Sequence, residues 1–377
     1  MTTAPPSTAD LRRIMVERLT SQGALRTEGW RSAFAEIPRE AFVPGQFTVR
    51  SQGRKHTYTE DDPNRLPVIY SDASLLTQFD AAGTATSSST QPWLMANMLE
   101  SLDVEPHHKV LEVGLGTGYN AALLCHRLHP DRVFSIDIDP ELVRAAATRV
   151  HGLGYSPTMA AGDGREGLPT HAPYDRLIAT FGVGRIPAAW CQQVRPGGLI
   201  VANVGLGIAR LVVAKDHTAQ GLFHAYPASF MTARDAPDVV STTAQQLTAE
   251  LTTAQGKDRT IQVPAHLTGD IPQFLSALLQ PSVVNFSYAD SLMRQVHCIY
   301  DPASQSWARI TMLDVRLARL DYDGPRDLWG ERAAFLNEWV EQGRPALDRY
   351  GLTVTSEGDH TLWLDSPTGP SWPLPSA

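Results

Sequence analysis

Between residues 92 and about 216, short runs rich in β-forming residues alternate with stretches of helical spacing: "KVLEVG", "VFSIDID", "YDRLIATFG", "GLIVANVG" and "ARLVVAKD". Regular alternation predicts an α/β fold on a mainly parallel sheet, because parallel strands need a crossover and a helix is the usual one. In such folds functional side chains collect outside the carboxyl ends of the strands. Every residue with a chemical reading lies in this region or just ahead of it.

The flanks differ in texture. Leu11, Ile14, Met15 and Leu19 recur at helical spacing, with Ser7 or Thr8 available as a cap and Gly23 beyond the end. A second helical stretch, "TEGWRSAFAEIP", stops at Pro38, and residues 50–90 are polar, rich in Gly, Pro, Ser and Thr, and read as irregular. Beyond about 225, Trp307, Trp329, Trp339, Trp363 and Trp372 supply five of the eight tryptophans, which read as core. Phe335, Leu336, Trp339 and Val340 share a helical face, and "LTVTSEGDHTLWLD" reads as a hairpin turning at Glu357-Gly358-Asp359. The expected division is a helical cap and loop over 1–80, the α/β domain over 81–225 and an α+β unit over 226–377 that recognises a peptide.

Composition narrows the partners. A net charge of −8 over 377 residues argues against a phosphate-binding surface and so against nucleic acid, leaving small molecules or peptides. Cys125, Cys191 and Cys298 are too scattered for a disulfide framework or a zinc site and read as reduced, buried thiols. The first residues lack an apolar signal-like region, and no uninterrupted apolar stretch is long enough to span a bilayer. The expectation is a cytoplasmic protein without metal or membrane attachment.

"VLEVGLGTGYN" ends a strand at Glu112-Val113 and continues through Gly114, Gly116 and Gly118 into a helix starting near Tyr119 or Asn120. Glycines suit a strand-to-helix turn where backbone approaches a ligand. A dinucleotide fingerprint would place its third glycine at 119, where Tyr119 stands. S-adenosylmethionine has no phosphate to set against a helix N-terminus, so its sites use acidic side chains on the ammonium and the ribose hydroxyls. Asp137 ends the next strand, placed to accept from a ribose diol, and Asp163, followed by Gly164, ends another, placed to accept from the adenine amine. Each acid alone is more often a loop or capping residue. Together, on successive strand ends, they point to an S-adenosylmethionine-dependent methyltransferase, with Glu112, Gly114, Gly116, Gly118, Asp137, Asp163 and Gly164 as the cofactor-binding set.

Ahead of the glycine loop, "ATSSSTQPWLMANMLE" places hydroxyls from Thr86 to Thr90 before Gln91-Pro92 and a helix. Locally, Thr90 or Gln91 reads as a helix cap with Pro92 in the first turn.

From these motifs outward, the chain resembles the protein-L-isoaspartate O-methyltransferase family. The resemblance runs through "MVERLTSQGAL", "AFAEIPREAFVP", "TQPWLMANMLE", "KVLEVGLGTGYNAALL", "VFSIDIDPELV", "GDGREGLP", "APYDRLIAT" and "IPAAWCQQVRPGGLIVANVG", covering about the first 205 residues. It implies a Rossmann-like class I fold and methyl transfer to the side-chain carboxylate of an isoaspartyl or aspartyl residue in a peptide. The family's catalytic serine precedes its proline by two residues, which puts Thr90 in that place. Six residues separate Gly83 from Thr90, more than the family's usual three, so Ser87, Ser88 and Ser89 are candidates beside Thr90. These departures and the long C-terminal unit resemble a branch acting on ribosomally made, post-translationally modified peptides. That branch esterifies an aspartate in a crosslinked peptide, and the ester closes to an aspartimide. The alternative is repair of isoaspartyl damage in proteins. Since a carboxylate is ionised at neutral pH, either reaction needs positioning rather than a general base.

Overall fold

The computed structural model describes residues 6–51, 53–232, 251–264 and 267–375. The first five residues of the N-terminal tail, and residues 233–250 of the expected C-terminal unit, lie outside that set. Helix α1 (Thr8–Ser21) starts on Ser7 in a capping box with Asp10, satisfying amides that a first helical turn leaves open. Helix α2 (Glu28–Glu36) ends two residues before Pro38. The stretch expected to be irregular is instead an antiparallel sheet. It comprises β1 (Phe47–Ser51), β2 (Arg54–Tyr58), then, after the short α3 (Arg65–Ile69), β3 (Leu75–Phe79) and β4 (Ala85–Ser89), in the order β2-β1-β3-β4. The hydroxyl run is therefore a strand, not a loop. Its burial alternates, Ser87 and Ser89 inward and Thr86, Ser88 and Thr90 half-exposed, as the pleat requires.

After α4 (Pro92–Ser101) the predicted alternation follows: β5 (Val110–Val113), α5 (Tyr119–Arg127), β6 (Val133–Asp137), α6 (Pro140–Gly152), β7 (Thr158–Ala161), β8 (Tyr174–Val183), α7 (Ala188–Gln193) and β9 (Val194–Val204). These strands pair in parallel in the order β7-β6-β5-β8-β9. Both faces are covered, so strand residues are apolar in unbroken runs and divide by parity: Ile178 packs with the N-terminal helices, Leu177 and Ala179 with the opposite layer. Antiparallel β10 (Gly207–Val213) and β11 (Ala219–Pro227) extend the sheet beyond β9.

The remaining elements are β12 (Lys257–Gln262), α8 (Asp270–Leu279), β13 (Val284–Ala289), β14 (Gln295–Asp301), β15 (Ser306–Met312), β16 (Leu317–Asp323), α9 (Leu328–Glu341), β17 (Tyr350–Val354), β18 (His360–Leu364) and β19 (Ser371–Pro373). Strands β12 to β16 form a separate five-stranded antiparallel sheet against α9. The predicted hairpin is β17–β18, but it pairs onto β11 and lengthens the central sheet. The boundary drawn at 225/226 thus cuts through a continuous sheet: the texture change marks an insertion, after which the chain returns. Trp307, Trp329 and Trp363 are buried and Trp339 and Trp372 half-buried. The three cysteines are free and buried. Among the described residues no helix is long and apolar enough to cross a membrane.

Candidate active site

The carboxyl ends of β5, β6 and β8, with β4 and the glycine turn, enclose a cavity of about 520 Å³. Gly114, Gly116 and Gly118 have φ of +93°, +53° and +89°, in the left-handed region that a Cβ disfavours. A Cβ built on Gly114 would lie 2.8 Å from Thr180 Oγ1, and one on Gly116 would lie 3.6 Å from the Ser88 carbonyl oxygen. The turn and the hydroxyl strand therefore face each other across the site. Gly118 departs from expectation: it does not line the cavity, and its Cβ would meet that of Ala146 at 3.0 Å, so it permits α5 and α6 to pack.

Glu112 is fully buried on β5, where Asn120 Nδ2 donates to its Oε1 at 2.8 Å and Ser135 Oγ to its Oε2 at 2.5 Å. Burial pushes its pKa up to about 7 against the opposing effect of these two donors. Asp137, at the end of β6, accepts the Gly116 amide at 2.8 Å and the Asp139 amide at 3.1 Å. Asp163 takes a bidentate contact from Arg165, at 2.8 Å to Nη2, which holds its carboxyl below the usual range. The Gly164 carbonyl accepts from Trp190 Nε1 at 2.8 Å, fixing the cavity floor to α7. Asn120 Oδ1 is buried beside Glu112 without a hydrogen-bond partner among the described residues. An acceptor left open next to a carboxylate, with a further carboxylate at the neighbouring strand end, fits the ammonium and ribose of S-adenosylmethionine. Away from this cavity, Glu105, His107 and His108 bring possible ligand atoms within 4.8 Å of one another at the amino end of β5. There His108 Nδ1 already accepts the Glu105 amide at 2.9 Å.

The hydroxyls sort into two sets. Ser87 Oγ lies 3.3 Å from Thr77 Oγ1, and Ser89 Oγ accepts from Arg39 Nε at 3.3 Å. Ser88 and Thr90 make no side-chain hydrogen bond among the described residues; Ser87, Ser88, Ser89 and Thr90 all line the cavity, and a Cβ on Gly116 would lie 3.7 Å from Ser87 Oγ. The strand is held from behind by Arg39, whose fully buried guanidinium donates to the carbonyls of Ile69 (2.6 Å), Ala73 (3.1 Å) and Thr90 (2.9 Å). Burial lowers the Arg39 pKa to about 10. The expected cap from Thr90 or Gln91 is replaced by Asp72, which accepts the Trp93 amide at 2.8 Å and Gln91 Nε2 at 2.9 Å. Sequence reading missed Arg39 and Asp72 because each acts across a long chain separation. It also missed Met231 and Thr232 in the cavity wall, where Gly182 donates to the Met231 carbonyl at 2.8 Å.

Comparison with known proteins decides the family. The family model described as protein-L-isoaspartate(D-aspartate) O-methyltransferase matches residues 11–226. The chain belongs to this family. The methyltransferase is 35% identical to a protein-L-isoaspartate O-methyltransferase of Hyperthermus butylicus over 52% of this chain and 76% of that one. It is 36% identical to that of Methanopyrus kandleri over 51% and 75%. A solved structure titled protein-L-isoaspartate O-methyltransferase matches 94% of this chain and 100% of its own, with a TM-score of 0.55 at 24% identity, a likeness of fold. That likeness of fold extends over the C-terminal part of this chain.

Proposed function

We propose that the protein transfers a methyl group from S-adenosylmethionine to the side-chain carboxylate of isoaspartyl residues in damaged proteins and peptides. The observation that carries this reading is the meeting, in one cavity, of the acid-and-glycine set around Glu112 and Asp137 with the unpartnered hydroxyls of Ser88 and Thr90. When bound, S-adenosylmethionine supplies an electrophilic methyl group. Glu112 and Asn120 receive its ammonium, and Asp137 receives its ribose. Ser88 and Thr90 donate to the substrate carboxylate and aim one oxygen at the methyl carbon. Hydroxyls suit this because they orient an anion without the ground-state stabilisation of a paired cation. The β4 strand and the Met231–Thr232 segment wall the site from water. No base is required, since the carboxylate is ionised at neutral pH.

Repair takes precedence over modification of a crosslinked ribosomal peptide with closure to an aspartimide. The relatives carry the repair enzyme's name, and the likeness of fold extends over the extra length that suggested a separate branch. The test is release of S-adenosylhomocysteine with a linear isoaspartyl hexapeptide and with its normal aspartyl counterpart. Turnover confined to the isoaspartyl peptide supports repair. Turnover confined to a crosslinked peptide transfers the assignment to the modifying reading, and none with any carboxylate peptide overturns both.

A further inference from the structure

Gln78 lies on β3 at an irregular point in its pairing with β4, where the register runs Leu76 to Ser88, Gln78 to Ser87 and Phe79 to Ala85. A bulge of this kind bends a strand and re-aims a side chain. Here it directs Gln78 across to the cofactor loop. Gln78 Nε2 donates to Asp139 Oδ2 at 2.8 Å, and Gln78 Oε1 accepts from Thr86 Oγ1 at 2.8 Å. The other Asp139 oxygen caps α6 through the amides of Glu141 (2.8 Å) and Leu142 (3.3 Å), and the Asp139 amide donates to Asp137 Oδ1. Thr86 stands two residues before Ser88, on the same face of β4.

We infer that Gln78 is a positioning residue that couples occupation of the Asp137 loop to the placement of Ser88 and Thr90, so that a bound cofactor product tightens peptide binding. This rests on the methyltransferase reading above and adds to it a route from one ligand to the other. The chain Asp137, Asp139, Gln78, Thr86 and Ser88 is continuous in hydrogen bonds and strand backbone. A ligand that fixes Asp137 fixes the docked position of the β3–β4 hairpin, and the coupling runs equally in both directions. Its ceiling is set by the hydrogen bonds Gln78 makes, which corresponds to about a 3- to 10-fold change in peptide affinity.

The experiment is calorimetric titration of an isoaspartyl peptide into the full-length protein with and without saturating S-adenosylhomocysteine. That ligand lacks the sulfonium charge, so the ratio of the two dissociation constants reports geometry rather than attraction of the substrate carboxylate to the sulfonium. The wild type is expected to bind peptide about 3- to 10-fold more tightly in the ternary complex. In Gln78→Met, which keeps the side chain's length and loses both hydrogen bonds, the ratio falls toward one, while S-adenosylhomocysteine affinity without peptide changes less than about twofold. Gln78→Glu, which accepts from Thr86 but cannot donate to Asp139 when ionised, behaves as the Met variant at pH 8. A ratio preserved in Gln78→Met, or a wild-type ratio of one, overturns the coupling. Failure to bind S-adenosylhomocysteine at all overturns the cofactor assignment instead, and failure to bind the peptide in both states overturns the substrate assignment.

Discussion

Replacing Glu112 by Gln tests the electrostatics of the cofactor site with a sign that can be worked out beforehand. Burial raises the Glu112 pKa from 4.5 to about 7, so in the free protein the group is half protonated near neutrality. The ammonium of a bound S-adenosylmethionine or S-adenosylhomocysteine favours the ionised form, which the free protein supplies fully above pH 7 and progressively less below it. Affinity for S-adenosylhomocysteine is therefore expected to fall about tenfold between pH 8 and pH 6, one protonation linked to one site. Glu112→Gln keeps one acceptor toward Asn120, turns an amide donor toward Ser135 Oγ, which rotates to accept it, and removes the titration, so its profile is flat and its affinity at pH 8 is lower by at least about tenfold. Stability follows the same linkage in the unliganded protein. With the folded pKa above the unfolded one, the contribution is fully present below pH 4.5 and is lost as pH rises to about 7, on the order of 3 kcal/mol. The Gln variant does not lose it. Titration calorimetry from pH 5.5 to 8.5 and urea unfolding at pH 5 and 8 measure both arms. A flat wild-type binding profile, or an equally sloped one in Glu112→Gln, refutes the reasoning.

Arg39→Met should cost about 3 kcal/mol, because several buried carbonyls lose charged donors while the burial cost of the cation is recovered; a urea midpoint within about 0.2 M of wild type at unchanged slope contradicts this. Ser88→Ala and Thr90→Ala should each lower kcat/KM for an isoaspartyl peptide about 10- to 100-fold, as expected for lost hydrogen bonds to an anion, with S-adenosylhomocysteine affinity kept. Ser87→Ala, at a cavity residue whose Oγ accepts from Thr77 Oγ1, serves as the comparison and should lower kcat/KM less. Deleting residues 350–377 uncovers the β11 edge and the apolar set Tyr350, Leu352, Val354 and Leu362, and should lower Tm by more than about 10 °C or abolish soluble protein. A truncated protein melting within about 2 °C of the full chain would show that these strands are dispensable.

The α/β core was legible because buried parallel strands write themselves as apolar runs, and the glycine turn because its φ values have few other solutions. The hydroxyl strand was misread as a loop for a physical reason. Serine is a weak strand former, and β4 has no apolar alternation of its own; its pairing is set by Leu75 and Leu76 on β3 and by the Arg39 donors at its end. Gly118 shared a motif with Gly114 and Gly116, yet spacing alone could not separate a glycine admitting a ligand from one admitting a helix. The return of the chain to the central sheet at Tyr350 is a pairing over a long separation, which no local pattern encodes. The same return ties the site to the C-terminus: His360 Nε2 accepts the Ile186 amide at 2.8 Å, and Arg185 donates to the carbonyls of Gly358 (2.7 Å) and Leu374 (3.1 Å). Both residues follow β8, whose end carries Thr180 and Phe181 into the cavity wall.

A cavity lined by Asp80, Glu112, Asp137 and Asp163 is an unpromising place to bind a carboxylate. The structure reduces that repulsion in separate ways. Arg165 neutralises Asp163 and, being bidentate on it, is less free to fall onto the substrate anion, where a strong ion pair would lower the energy of the reactant and slow the transfer. Asp137 accepts one amide on each oxygen, from Gly116 and Asp139, with acceptor capacity left on each, and burial pushes the Glu112 pKa up to about 7. A cationic methyl donor adds to these devices, since a sulfonium and an ammonium enter against the acids before any carboxylate must. The electrostatics thus favour cofactor first and peptide second. The Gln78 connection points the same way, because the loop that receives the cofactor is the one that holds the hydroxyl strand in place.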